Sequence, residues 1–301
     1  MMQTIFSATD IIKKYKKSNF ILDVAKVELK PNTITGVVGE NGNGKTTLLN
    51  VIAGNIKAES SLFTYFDKTP TTANNWIAIR EKTAFIPQRI PRWYGSLRQN
   101  LLLKATLENI PKAKIENELE QVLTFLNLKK YAHLKWSEIS TGYRLRFELA
   151  RILIGKPQLL VLDEPIANLD INAQQQFLSD LKSLTISKDY PIAIILSSQQ
   201  LHEIETVADE MIFMKEGKSI FSGNKDSLTS DRSTIELLVE NTVELESFLK
   251  IKNIEFLKRG VYYHIELDNS ITSNAFLKDL ILHTIEISYY RNISNSTKKL
   301  F

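Results

Sequence analysis

The sequence predicts a mixed α/β fold: a large domain on a mostly parallel sheet, then a small α+β domain. Three observations carry this. Short, uninterrupted apolar runs alternate with helical patterns over about the first 225 residues. One such run leads directly into a glycine-rich loop and then a helical pattern. Beyond a polar stretch, SGNKDSLTSDRS at 222–233, the rhythm changes to strand-helix-strand-strand-helix-strand.

Taken in order, ITGVVG (34–39), TAFIPQ (83–88), LLVLDEP (159–165) and IAIILSS (192–198) are short, β-rich and bounded by turn signals. Apolar runs of this length without alternation suit strands covered on both faces, as in parallel sheets. Between them KTTLLNVIAG, ENELEQVLTFLNL, YRLRFELARILIG and NAQQQFLSDLKSL carry helical spacing. In the C-terminal region STIELLVE and IEISYYRNI read as outer elements of a split β-α-β sandwich of ferredoxin-like type. TVELESFLKIK and SNAFLKDLILHT read as its helices, and IEFLKRG and VYYHIEL as a hairpin through Gly260. The expected domains are residues 1–228 and 229–301.

Composition narrows the function. The chain has 301 residues and 43% hydrophobic residues, enough for a substantial core, and no cysteines. Disulfides and thiolate metal sites are therefore excluded, and a reducing compartment fits. Its net charge is only +4, from 38 basic and 34 acidic side chains, so no nucleic-acid partner is expected. No apolar stretch approaches the roughly 18–20 residues of a membrane helix, and the N-terminus does not read as a signal peptide. A cytoplasmic protein is expected, reaching a membrane only through a partner.

The loop GENGNGKTT runs through Gly39, Glu40, Asn41, Gly42, Asn43, Gly44, Lys45, Thr46 and Thr47. It satisfies G-x-x-x-x-G-K-S/T. Glycines let backbone N–H groups turn inward around a phosphate, and the following helix offers its positive end to the anion. The motif's mechanism has Lys45 reach the β- and γ-phosphates of ATP and the Thr46 hydroxyl bind Mg²⁺. The apolar run LLVL then delivers Asp163 and Glu164 at a strand's C-terminal end, where ligands of open α/β sheets sit. Asp163 suits the metal shell, and Glu164 suits a base for the attacking water.

Just before that strand lies EISTGYRLRFELAR, residues 138–151. Here, and in the order of its other motifs, the chain resembles the ATP-binding cassette (ABC) family, the nucleotide-binding subunits of ABC transporters. The family signature L-S-G-G-Q is matched by Ile139, Ser140, Thr141, Gly142 and Tyr143. The resemblance covers about residues 3–225 and implies a P-loop ATPase of ABC type with a helical subdomain. It implies that Tyr15 stacks on adenine and that Gln88 is the glutamine reaching the metal and water. It further implies that Ala167, Asn168, Leu169 and Asp170 form the D-loop. Ser140 and Gly142 would contact the nucleotide held by the other cassette of a homo- or heterodimer. The implied partner is a separate transmembrane subunit, engaged through residues 87–103, and export is the expected direction. In that segment Trp93 and Tyr94 are expected as exposed anchors, against the alternative that they pack inside the helical subdomain. The competing readings are a soluble cassette ATPase and a nucleotide-binding regulator with weak turnover.

Two departures from the pattern bear on activity. Thr141 replaces the first signature glycine and Tyr143 the glutamine. In LSSQQLHEIE (196–205), Gln199 stands where the family has a histidine near the γ-phosphate. Glutamine donates a hydrogen bond but cannot become a cation. Gln199 joins Glu164 as a candidate catalytic residue, while His202 reads as a surface helix histidine.

Overall fold

The computed structural model describes residues 4–16, 19–60, 62–186, 191–225, 233–268 and 271–292. The chain divides into two compact units, Met1–Gly223 and Asn224–Phe301. The expected boundary at 228/229 lies outside the described residues.

The first unit opens with strands β1 (Phe6–Lys14), β2 (Ile21–Leu29) and β3 (Ile34–Val38), then helix α1 (Lys45–Ile52). There follow β4 (Leu62–Tyr65), α2 (Ala73–Glu81), β5 (Thr83–Ile86), α3 (Leu97–Leu107), α4 (Lys112–Phe125) and α5 (Thr141–Leu153). The unit closes with β6 (Leu159–Leu162), α6 (Ile171–Ile186), β7 (Ala193–Ser198), α7 (Leu201–Ile204), β8 (Glu210–Lys215) and β9 (Lys218–Asn224). These strands form one sheet in the order β4-β1-β2-β9-β8-β3-β7-β6-β5.

The sheet has two characters. From β8 to β5 every pairing is parallel. Residues of β3, β6 and β7 are buried throughout, which is why these runs lack alternation. At the other end β4, β1 and β2 pair antiparallel. The two parts meet where β2 pairs β9 in parallel at Asp23 and Lys218. Because β3, β7, β6 and β5 are adjacent and parallel, the loops after them leave the same edge of the sheet.

Helices α3, α4 and α5 make the helical subdomain. The buried Arg146 on α5 ties it together, donating to Asp180 Oδ2 on α6 at 2.6 Å and to the Leu126 carbonyl beyond α4 at 2.5 Å. For Trp93 the structure takes the interior alternative and corrects the exposed-anchor one: its ring packs against Trp136 and Phe147, at 4.9 and 6.1 Å between centroids. Tyr94 is exposed, at 84%. The aromatic bulk of Trp93 is covered better inside a three-ring cluster than on a surface.

The second unit runs β10 (Ser233–Val239), α8 (Thr242–Ile251), β11 (Phe256–Arg259), β12 (Tyr262–Leu267), α9 (Ser273–Leu282) and β13 (Ile287–Asn292). Its sheet order is β11-β12-β10-β13, antiparallel throughout, so β12 separates the two strands that α8 joins. Gly260, at φ +62°, makes the two-residue hairpin turn between Arg259 and Tyr262. Ile235, Leu237, Tyr263 and Ile265 on the sheet close a core with Leu245, Phe248, Phe276 and Leu280 on the helices.

Candidate nucleotide and catalytic site

The phosphate loop leaves β3 and closes on α1. Gly44 caps α1 with φ +95°, and Gly42 has φ +84°, so both need glycine's freedom. The loop's free end is tied to the turn between β8 and β9. The Glu216 N–H donates to Asn43 Oδ1 at 3.0 Å and the Gly217 N–H to the Asn43 carbonyl at 3.2 Å. Lys45 is buried, and its ammonium meets three oxygens: the Gly39 and Glu40 carbonyls at 2.7 and 3.1 Å and Glu164 Oε1 at 3.0 Å.

Asp163 and Glu164 follow β6 and are also buried. Asp163 Oδ1 accepts from Thr46 Oγ1 at 3.1 Å and from Ser197 Oγ at 2.9 Å. Burial pushes its pKa above the ordinary carboxylate value; the two hydroxyls and Lys45 act against that, and Glu164 adds to it. Glu164 has φ +43°, a left-handed conformation rare for a residue with a side chain. Its N–H donates to Ser197 Oγ at 2.8 Å, which fixes the turn. Three donors converge on its carboxylate. Lys45 takes Oε1, while Gln88 Nε2 at 2.9 Å and Gln199 Nε2 at 2.8 Å share Oε2. Gln199 Oε1 in turn accepts from Asn41 Nδ2 at 3.4 Å.

A cleft of about 300 Å³ runs over the loop, lined by Phe20, Asn41, Gly42, Gly44, Lys45, Thr46, Thr47, Gln88 and Glu164. The sequence-predicted residues of β3, β5, β6 and β7 thus meet in one place. Tyr15, at the end of β1, is part-exposed, with its hydroxyl 3.4 Å from Thr47 Oγ1. Ser140 and Gly142 lie elsewhere, at the start of α5. Ser140 caps that helix by accepting from the Tyr143 N–H at 3.4 Å. Gly142 is buried, and a Cβ there would come 2.8 Å from the Ala173 Cβ. Asp170 accepts from the Ala173 N–H at 2.9 Å, capping α6. His202 is exposed on α7.

Two contributors escape a motif reading. Ser197 Oγ donates to the Asp163 carboxylate and accepts from the Glu164 N–H; its signal was a hydroxyl near the end of the otherwise apolar run IAIILSS. Phe20 packs over Gly44, where an added Cβ would be 2.7 Å from its ring. No sequence signal separated it from any other strand-edge aromatic.

A phosphate loop, a strand-end Asp-Glu pair and two glutamines at the C-terminal edge of a parallel sheet define a P-loop ATPase site. A family model for ABC transporters matches residues 22–167. The chain is 32% identical to the bacitracin transport ATP-binding protein BcrA of Bacillus licheniformis over 274 residues, 88% of this chain and 87% of that one. It is 25% identical to ABC transporter A family member 1 of Dictyostelium discoideum over 275 residues, but spans only 31% of that protein's length. Among solved structures, cbiO1 from Clostridium perfringens, part of the ABC transporter complex cbiONQ, superposes with a TM-score of 0.70. It is 22% identical and covers 83% of this chain and 97% of its own, a likeness of fold. The chain belongs to the ABC transporter family, among its ATP-binding proteins. Among the described residues no helix is long and apolar enough to cross a membrane.

Proposed function

We propose that this chain binds and hydrolyses ATP as one cassette of a dimer, and that it drives a separate transmembrane subunit from the cytoplasmic face, in the direction of export. The observation that carries hydrolysis is the convergence of Lys45, Gln88 and Gln199 on Glu164, next to the Thr46–Asp163 pair. Lys45 would exchange its loop carbonyls for nucleotide phosphates and neutralise charge there. Glu164, aimed by its donors, would accept the proton of the attacking water as the terminal phosphoryl group leaves the β-phosphate. Tyr15 would stack on the base.

The residues also suit magnesium. Thr46 Oγ1 and Asp163 Oδ1 are hard oxygens within 3.1 Å of each other, beside the loop, and the Gln88 carbonyl is a third candidate. Bound there, Mg²⁺ would supply charge neutralisation at the phosphates.

Ser140 and Gly142 serve in this reading from a second copy. Their place outside the cleft and at a helix N-terminus supports that, since such an end presents N–H groups to an anion. ATP binds two facing cassettes better than one, so it favours the closed dimer, and hydrolysis releases it. The likeness to a bacitracin transport ATP-binding protein supports a transport role. Residues 229–301 form an accessory domain in this reading, outside the catalytic site. The test is Glu164→Gln. Phosphate release should vanish while ATP still produces a dimer in sedimentation. Equal turnover in Glu164→Gln and the parent chain would remove the catalytic assignment.

A further inference from the structure

The N-terminal end of α5 is a weakly built helix start. Thr141 and Gly142 open its first turn, and glycine is the poorest helix former after proline. No carboxylate stands in that turn to offset its positive end, and the Ser140 cap bond is long, at 3.4 Å. What steadies the turn comes from outside it. Gly142 lies close against Ala173 of α6. Tyr143, the next residue, donates its hydroxyl proton to the Tyr131 hydroxyl at 2.7 Å, and the two rings stand 4.4 Å apart between centroids.

From this geometry we infer that Tyr131 is a positioning residue for the start of α5: its hydroxyl bond to Tyr143 sets the first turn in the place that a second copy's nucleotide needs. This rests on the dimer reading above and deepens it. Tyr131 is a firm post. It closes the short 3₁₀ turn Lys129–Tyr131 that follows α4. The chain just beyond is stitched to the start of α3, where the Arg98 N–H donates to the Ala132 carbonyl at 2.8 Å and the Leu97 N–H to the Leu134 carbonyl at 3.1 Å. The Tyr143 ring also packs against Phe147, at 6.4 Å between centroids. Arg146, 5.8 Å from the same ring, is itself fixed by Asp180 and the Leu126 carbonyl.

This gives the departure at position 143 a use. The tyrosine spends its hydroxyl inside its own helical subdomain, and the groups of the turn left to face an anion are the backbone N–H groups and the Ser140 hydroxyl. Such donors act over about 2.7–3.2 Å, so a turn that frays presents fewer of them. The cleft over the phosphate loop is lined by other residues, so the Tyr131–Tyr143 bond bears on the second copy's nucleotide and not on this chain's own.

The experiment uses the full chain as Tyr131→Phe, Tyr143→Phe and the two together. Tyr290→Phe is the control, since it removes a hydroxyl bonded to the Ser273 carbonyl in the second unit. Phenylalanine keeps each ring and deletes only the hydroxyl. Phosphate release at saturating Mg-ATP is followed across protein concentration, and a fluorescent ATP analogue reads affinity on dilute chain. In the Glu164→Gln background, sedimentation with ATP reads the dimer directly. Each dimer holds two such helix starts. Tyr131→Phe should therefore raise both the dimer dissociation constant and the protein concentration for half-maximal release about 10-fold, with plateau rate and analogue affinity changed less than about twofold. Tyr143→Phe should match it, and the double variant should be no worse than either, because the same bond is lost in all three. Tyr290→Phe should equal the parent. The proposal is overturned if Tyr131→Phe dimerises like the parent, if the double variant shows the product of the single effects, or if Tyr290→Phe shifts the dimer as much. A plateau that falls while the half-maximal concentration stays also overturns it. A Glu164→Gln chain that stays monomeric at saturating ATP removes the dimer reading itself, and this role with it.

Discussion

Replacing Gly217 with alanine should destabilise the first unit severely, although no catalytic side chain is touched. Gly217 turns the chain from β8 into β9 at φ +82°, and its ideal Cβ would lie 2.0 Å from the Ile21 carbonyl oxygen. An L-residue in the left-handed region costs roughly 1–2 kcal/mol. The clash is with backbone, so the turn must move by more than an ångström. That motion breaks the Asp23 N–H to Gly217 carbonyl bond at 2.8 Å, which stitches β2 to β9. It also loosens the two bonds to Asn43. At about 1 kcal/mol for each lost bond, the total is about 3–5 kcal/mol. For a unit of this size that lowers the melting temperature by on the order of 10 °C. Gly42→Ala is the control. It has a similar φ of +84° and nothing within 4 Å of an added Cβ, so only the conformational cost of roughly 1–2 kcal/mol applies. Thermal unfolding by circular dichroism reads both. If Gly217→Ala melts within about 2 °C of Gly42→Ala, the close approach to Ile21 does not govern this turn and the reasoning is wrong.

Asp163→Asn should be more thermally stable than the parent near pH 7. The folded state holds the Asp163 proton more tightly than the unfolded chain, so its ionisation costs stability as pH rises through the window above the ordinary carboxylate pKa. Asparagine keeps an acceptor for Thr46 and Ser197 without that charge. The same variant should lose the extra stabilisation that Mg²⁺ gives with ADP; melts with and without the pair test both, and a less stable variant at pH 7 refutes the sign. Tyr15→Ala should weaken ATP about 5- to 150-fold, the range for losing one base-stacking aromatic, while Tyr15→Phe stays near the parent. Titration with a fluorescent analogue decides, and parent-like binding by Tyr15→Ala would remove the stacking role.

The parallel part of the fold was legible because its strands are buried on both faces and read as unbroken apolar runs. The antiparallel part was not. In β1 the buried positions are Phe6, Ala8 and then Ile11; in β2 they are Leu22 and Val24, then Val27 and Leu29. Both strands switch parity midway, where Asp10 takes φ +54°, so neither shows a clean period of two. At the site, residues that touch phosphate in the motif's mechanism were readable, since the chemistry demands their types. Those that aim the carboxylates were less so. Ser197 acts through two hydrogen bonds that only the β6–β7 register brings together. Trp93 stayed open between surface and interior because an aromatic beside Tyr94 in the sequence says nothing about which ring turns inward.

The ammonium of Lys45 meets two loop carbonyls and the Glu164 carboxylate in a pocket that leaves its side chain 4% exposed. Nucleotide capture would then exchange the Gly39 and Glu40 carbonyls for phosphate oxygens around a lysine already held in place, and the loop has little left to order. Calorimetry would register this as a modest enthalpy and a small entropic penalty, since the interactions formed resemble those given up. Salt would weaken binding less than the phosphate charges alone suggest, because the protein's own carboxylate already screens the lysine.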